Sequence, residues 1–359
     1  MVLDFPRKLL IALVSAALAL GGSALAADTV RIATSLAPNS LQPAEATGLP
    51  DAAVIRTMFE GLVGFLDGKL VTELAESWSA NDDATAYTFK LHQGVKFHDG
   101  TPFDANAVKA YYEWVLDPNS RGARGRSQLK DISNIEVLGD YDVRIDLSRP
   151  NGAFIYLLAI SNARIASPAS LEKYGDDISR HPVGTGPFKF VSWNEGQSVV
   201  VERNADYWGD PAKVDGLEFV VVNNAATRVA MLQSGEVLFV EALPPQLVPV
   251  IEAAPGLDVV STKTNFLRIL ELNTSKAPFT DVRVRQALNY AIDKQQLVNV
   301  AVAGLATVMT APIPATTFGY AEQPPYTYDP EKARSLLAEA GYPNGFDMKV
   351  LTFTGDEYR

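Results

Sequence analysis

Arg268 carries the sharpest chemical signal in this chain, because it lies in Asn265–Asn273, a run that is apolar on both alternating faces except at Arg268 and Glu271. A guanidinium in such a setting needs an anion, supplied by Glu271, by another protein carboxylate or by a ligand carboxylate. Phe266 and Leu267 flank it, as ligand wall or as core. Three histidines are present. His92 and His98 fall on or beside a hairpin, where strand and turn roles account for them without a metal. No G-x-S-x-G elbow or H-E-x-x-H helix occurs, and cysteine is absent. Gly68-Lys69 fails as a phosphate loop, since Val63 stands where the first glycine belongs and Leu70 where Ser or Thr belongs. Gly184-Thr185-Gly186 fails as a dinucleotide fingerprint because Lys189 takes the third glycine place. Carboxylates are abundant, as in any acidic protein, but no pair has positive support as a catalyst. No catalytic residue, cofactor or metal is expected.

Behind these residues stands a chain of 359 residues, 47% hydrophobic, long enough for two domains or more. Arg7-Lys8, the uncharged run Leu9–Leu20 and Ala24-Leu25-Ala26 form the pattern of a secretory signal peptide, with cleavage expected after Ala26. The apolar run is too short for a spanning helix. Cleavage removes two bases and one acid, which takes the net charge from −11 to −12. Nucleic acid and anionic membranes are therefore poor partners. Without cysteine there is no disulfide, and no thiol for lipid anchoring after the leader, so a freely soluble exported monomer is expected.

The periodicity reads as mixed α/β. Val30–Leu36 is a strand, followed by a proline-broken loop, Ala37–Pro43, that suits a cleft wall. Ala52–Leu62 is a helix. Tyr87–Leu91 alternates as a strand and turns at Gln93-Gly94 into a second strand at Val95–Phe97, before Asp104 caps a helix. Residues 121–130 form a basic loop, for which a solvated surface is the plainer account and an anion site the sharper one. Hairpins are expected at Ile132–Leu147 and Phe188–Glu202. Leu217–Val222, Ala225–Leu232 and Val237–Glu241 form a βαβ unit with a parallel strand pair. Asn265–Asn273 is a strand crossing between lobes, with a helix through Ala291 after it. Asp329 and Pro330 open another helix, and Met348–Phe353 begins a further strand. Trp193 and the Gly184–Pro187 turn are assigned to structure.

Phe89-Lys90-Leu91-His92-Gln93-Gly94-Val95-Lys96-Phe97-His98-Asp99-Gly100-Thr101-Pro102-Phe103 closely resembles the signature of the family 5 solute-binding proteins of ABC transporters, the dipeptide/oligopeptide/nickel group. Its companions follow in the family's order: Glu60–Val63, Leu74–Trp78, Pro182–Phe188, Arg203–Trp208, Asp281–Leu288 and Tyr328–Ala333. The resemblance covers the chain beyond the leader. It implies an α/β two-lobed periplasmic binding protein (class II, type C cluster). Lobe I takes residues 27–58 and 181–262, with an extra subdomain at 59–180, and 263–359 form the crossing strand and the start of an incomplete lobe II. It also implies capture of a peptide between lobes and delivery to an inner-membrane permease. The alternative ligands are a nickel chelate, opine, sugar or haem, and the alternative class is an exported hydrolase. Ligand contacts are expected at Ser35, Leu36, Ala37 and Asn39 on the first-strand loop and at Phe266, Leu267 and Arg268. Three local departures occur: Leu238 where an Asp is common, Asn106-Ala107 for Glu-Asp, and His92 for Arg. Family members are also substantially longer.

Overall fold

The computed structural model describes residues 28–351 apart from 67, 263, 265, 266, 316, 318 and 319. The leader and Phe266 lie outside the described residues. The strands are β1 (Thr29–Thr34), β2 (Val63–Leu66), β3 (Lys69–Thr72), β4 (Ala75–Ala80), β5 (Ala86–Leu91) and β6 (Ile132–Gly139). They continue with β7 (Asp142–Leu147), β8 (Phe188–Asn194), β9 (Ser198–Arg203), β10 (Gly216–Val221) and β11 (Phe239–Val240). The chain divides into two compact units, one holding residues 28–224 with Ser234–Glu241, the other Ala225–Gln233 with 242–351.

The first unit contains two main sheets. One has the order β11-β1-β10-β9-β8, with β1 parallel to β10 and to β11 and the β8/β9 hairpin antiparallel at its far side. The βαβ expectation thus holds with one refinement: the two strands flank β1 instead of pairing with each other. The second sheet, β4-β5-β7-β6, is antiparallel throughout. Tyr87, Phe89 and Leu91 point into the core while Thr88 and Lys90 do not, as the alternation requires. Helix Ala105–Leu116 packs its Val108, Tyr111, Tyr112 and Val115 face inward, and the Asp104 carboxylate accepts the Ala107 N–H at 2.8 Å as its cap.

The signature after β5 is a clamp. The second strand expected at Val95–Phe97 is a single bridge, Lys96 to Pro102, because Gly94 and Gly100 both adopt positive φ and fold the segment tightly on itself. Phe97 and Phe103 meet edge to face at its centre. His98 then reaches the Pro182–Phe188 turn: its Nε2 lies 3.0 Å from the Gly186 carbonyl and its Nδ1 accepts the Gly184 N–H at 3.3 Å. The same turn presses on the end of helix Leu49–Met58. A Cβ on Gly184 would lie 2.1 Å from the Met58 carbonyl oxygen, and one on Gly186 2.7 Å from the Met58 carbonyl carbon.

Residues 121–130, expected as a loop, contain helix Ala123–Leu129, and a Cβ on Gly125 would lie only 3.0 Å from the Ala44 Cβ and from Val115 Cγ1. A glycine that weakens helix propensity is retained here by the packing it permits. In the second unit, helices Val282–Ala291, Lys294–Ala301 and Pro330–Glu339 form, each capped by the aspartate before it. The strand expected at Asn265–Asn273 is not formed: described residues 267–273 are irregular, with Ile269 and Leu270 exposed. Apolar alternation makes a ribbon that can be buried, but a strand exists only with ladder partners. Leu267–Asn273 has none among the described residues. Met348–Leu351 is likewise irregular.

Two measurements check this junction. Gly184→Ala is expected to lower the unfolding free energy by about 2 kcal/mol or more. Gly152→Ala, where a Cβ meets nothing within 4 Å, serves as the control and should stay within about 0.5 kcal/mol. His98 supplies the pH test. Burial lowers its pKa to about 4, against 6.5 for an ordinary imidazole. Protonation therefore favours the unfolded chain, and the contribution is complete above pH 6.5 and lost as pH falls towards 4. The shift bounds that loss at about 3 kcal/mol. Urea unfolding from pH 7 to 4 should show the decline, and His98→Gln should flatten it.

Candidate functional site

Three parallel strands bring their carboxyl ends to one edge of the first unit's sheet, and in open α/β sheets that edge is where ligands settle. Ladder bonding continues just past the strands: the Val222 N–H donates to Thr34 O at 2.9 Å and the Glu241 N–H to Ala33 O at 3.0 Å. The loop after β1 therefore leaves the sheet with its neighbours fixed. Its near end is held by the Thr34 hydroxyl, which donates to Leu36 O at 3.2 Å, and by Asn223 Nδ2, which donates to Ser35 O at 3.0 Å.

The far end hangs on one buried carboxylate. Asp51, in the first turn of helix Leu49–Met58, is fully buried and accepts the Asn39 N–H at 2.6 Å and the Thr47 N–H at 2.7 Å. The Thr47 hydroxyl donates to it as well, at 3.2 Å. A carboxylate in the first helical turn also meets the positive end of the helix dipole. Between the two anchors, Ser35 and Pro38 are buried, Ala37 is half-buried, and Leu36 and Asn39 are exposed. Pro38 fixes the backbone that Leu36 and Asn39 project from.

The four loop positions expected from the sequence thus lie together on one rim held at both ends. Leu267 is half-buried and Arg268 exposed in the second unit. Asp51 and Asn223 were not signalled by the sequence; the nearest hint is an acid one residue after Pro50, which by itself reads as an ordinary first-turn helix residue. The rim offers an apolar surface, a carboxamide and fixed backbone groups, the kind of surface that holds a ligand in place.

A second polar cluster lies at the end of the same helix. The buried Glu60 carboxylate accepts from the Thr185 hydroxyl at 2.7 Å, the Tyr207 hydroxyl at 2.7 Å and Trp208 Nε1 at 2.9 Å. Burial raises its pKa, and the three donors oppose that rise. Burial, then the Glu60 charge, likewise pushes up the Tyr207 hydroxyl. Among the described residues no group of three or more His, Cys, Asp or Glu side chains is placed to hold a metal.

Residues 69–358 match the family model described as bacterial extracellular solute-binding proteins, family 5 Middle. The glutathione-binding protein GsiB of Pectobacterium atrosepticum is 40% identical over 368 residues, covering 98% of this chain and 71% of its own length. The protein of the same name from Escherichia coli (strain K12) is 39% identical over 363 residues, covering 97% and 70%. Among solved structures, the ABC transporter-associated periplasmic binding protein DppA from Helicobacter pylori, in complex with peptide STSA, superposes with a TM-score of 0.80 at 31% identity, over 88% of this chain and 67% of that one. AgaA from A. tumefacien R10, in complex with agropinic acid, gives 0.75 at 34% identity, over 88% and 65%.

The Asp51 anchor is directly testable. Asp51→Ala leaves two backbone donors without a partner and is expected to cost about 2–3 kcal/mol. Hydrogen exchange should quicken at the Asn39 and Thr47 amides far more than in the β8/β9 hairpin.

Proposed function

The chain belongs to the family 5 bacterial extracellular solute-binding proteins, and we propose that it is the peptide-capturing component of an ABC importer. The observation that supports this reading is the rim itself: the Ser35–Asn39 loop, anchored at both ends by the protein's own hydrogen bonds, at the carboxyl edge of β11, β1 and β10. A pre-arranged rim lowers the ordering cost of binding. Relatives named as glutathione-binding proteins and a neighbour holding the peptide STSA support short peptides as the ligand class.

On this reading Ser35, Leu36, Ala37 and Asn39 meet the ligand, as do Phe266, Leu267 and Arg268, with Arg268 pairing with a ligand carboxylate. The ligand leaves unchanged, handed to an inner-membrane permease as a closed complex whose two lobes are held together by contacts absent from the open form. The protein works as a periplasmic monomer after loss of residues 1–26, without nucleic-acid or cofactor partners. A second reading, an opine ligand, is favoured by the AgaA complex with agropinic acid.

Calorimetry of the complete gene product with glutathione, dipeptides, tripeptides and an opine separates the two. Saturable binding of a peptide, with the peptide recovered intact, is the expected result. Binding of the opine alone would transfer the assignment to the second reading, and steady hydrolysis of the bound peptide would replace both with an enzyme. Arg268→Gln is expected to weaken the preferred peptide by about 10-fold or more, with a much smaller effect on its C-terminal amide.

A further inference from the structure

An open cleft of about 390 Å³ on the first unit is lined by Arg56, Glu73, His92, Arg164, Tyr207 and Trp208, among others. What matters is which of its hydrogen-bonding groups are already used. Glu60 carries three donors, as described. Glu73 accepts the Gly61 N–H at 2.7 Å through Oε2 and Arg164 Nη2 at 2.8 Å through Oε1. Arg164 gives its Nη1 to the Phe59 carbonyl. Both carboxylates are thus committed.

The remaining capacity consists of donors on two guanidinium groups. Arg164 retains only 5% of its surface exposed; its Nε is shut off from solvent without a hydrogen-bond partner within the protein, and Nη1 and Nη2 each carry a second N–H beyond the bonds just named. Arg56, in the last turn of helix Leu49–Met58, is exposed, and its bond within the protein is from Nε to the Ser161 hydroxyl at a long 3.3 Å. Although the Arg56 side chain as a whole is exposed, its guanidinium is partly desolvated against the cleft wall, which lowers its pKa; the like charge of Arg164 lowers it further, and Glu73 offsets part of this. Two like charges facing one cleft, in a chain whose net charge is −11, are a local exception to the whole molecule. A guanidinium fork matches a planar or tetrahedral oxyanion with two parallel hydrogen bonds. One wall is aromatic, with His92 and Trp208 rings 4.8 Å apart.

We propose that this cleft is a second binding site, separate from the rim, which takes a small oxyanion, a carboxylate or a phosphate, on Arg56 and Arg164. The Trp208 indole N–H reports on it, since it donates to Glu60 in the cleft wall.

The test titrates the complete protein with inorganic phosphate and, separately, with malonate, against sodium chloride of equal ionic strength, following the Trp208 indole resonance and the melting temperature. Saturable shifts with either anion, absent with chloride and weakened at least 10-fold by Arg56→Gln, are the expected result. Phosphate and malonate, compared with each other, tell which oxyanion the cleft prefers. Identical shifts with chloride, or unchanged anion affinity in Arg56→Gln, would overturn the proposal. Arg56→Gln alters an exposed side chain, so its fold is checked by its melting temperature without anion. Peptide affinity in Arg56→Gln should match the parent protein, so failure here and failure of the peptide reading give different results.

Discussion

A buried carboxylate at Glu60 holds the first unit's distant segments in one arrangement. Its oxygens are met by Thr185 from the Pro182–Phe188 turn and by Tyr207 and Trp208 from the segment after β9. An ionised carboxylate taken out of water without partners costs several kcal/mol, far more than one hydrogen bond returns. All three donors must therefore arrive together or the segment around Glu60 has no stable place. The Gly184 and Gly186 contacts with Met58 impose the same condition sterically, since the turn fits only if it lies against the helix end. Helix Leu49–Met58 is thereby fixed at its C-terminus, while Asp51 at its N-terminus fixes the loop that forms the rim. A constraint remote from the carboxyl edge of the sheet thus sets where the rim stands.

This division of labour explains why the family signature identifies the fold more sharply than it identifies a ligand. Within Phe89–Phe103 the conspicuous residues are spent on the clamp: two glycines with positive φ, two phenylalanines in contact, and a histidine bonded to the next motif's backbone. Asp99 accepts from the Thr101 hydroxyl within the turn and from the Ser167 hydroxyl at 2.6 Å, tying in a third segment. None of these groups belongs to the rim. The rim's own exposed residues, Leu36 and Asn39, are chemically ordinary, and only their position singles them out.

The sequence was most legible where one local rule decides the outcome. Alternation gave β5 and the β6/β7 and β8/β9 hairpins, and aspartates before apolar helical runs gave the caps at Asp104 and Asp329. It was least legible where tertiary contact overrides local preference. Residues 121–130 look like a loop because glycines and arginines dominate, yet Gly125 is what allows the helix to lie against Ala44. Val95–Phe97 has strand composition but is bent by the glycines around it. Leu267–Asn273 has the composition of a covered strand and no ladder to join. The proline-broken loop after the first strand is legible as a loop, whereas Asp51 acts through backbone amides that no side-chain pattern records.

The two polar clusters on helix Leu49–Met58 show how similar residue types reach opposite ends. At Asp51 every carboxylate bond goes to the protein's own loop, so the charge is consumed in holding shape. At the other end Glu60 and Glu73 are consumed in the same way, but the arginines drawn in to balance them bring more donors than the carboxylates can accept. Arginine has five N–H groups and a carboxylate has room for about four hydrogen bonds, so a site with two arginines and two already-bonded carboxylates is left with donors to spare. Surplus donors in a partly desolvated cleft favour an anion over water for the same reason that buried donors favour acceptors elsewhere in the fold. On the anion-site proposal, structure-holding and anion-holding arginines differ by stoichiometry more than by residue type.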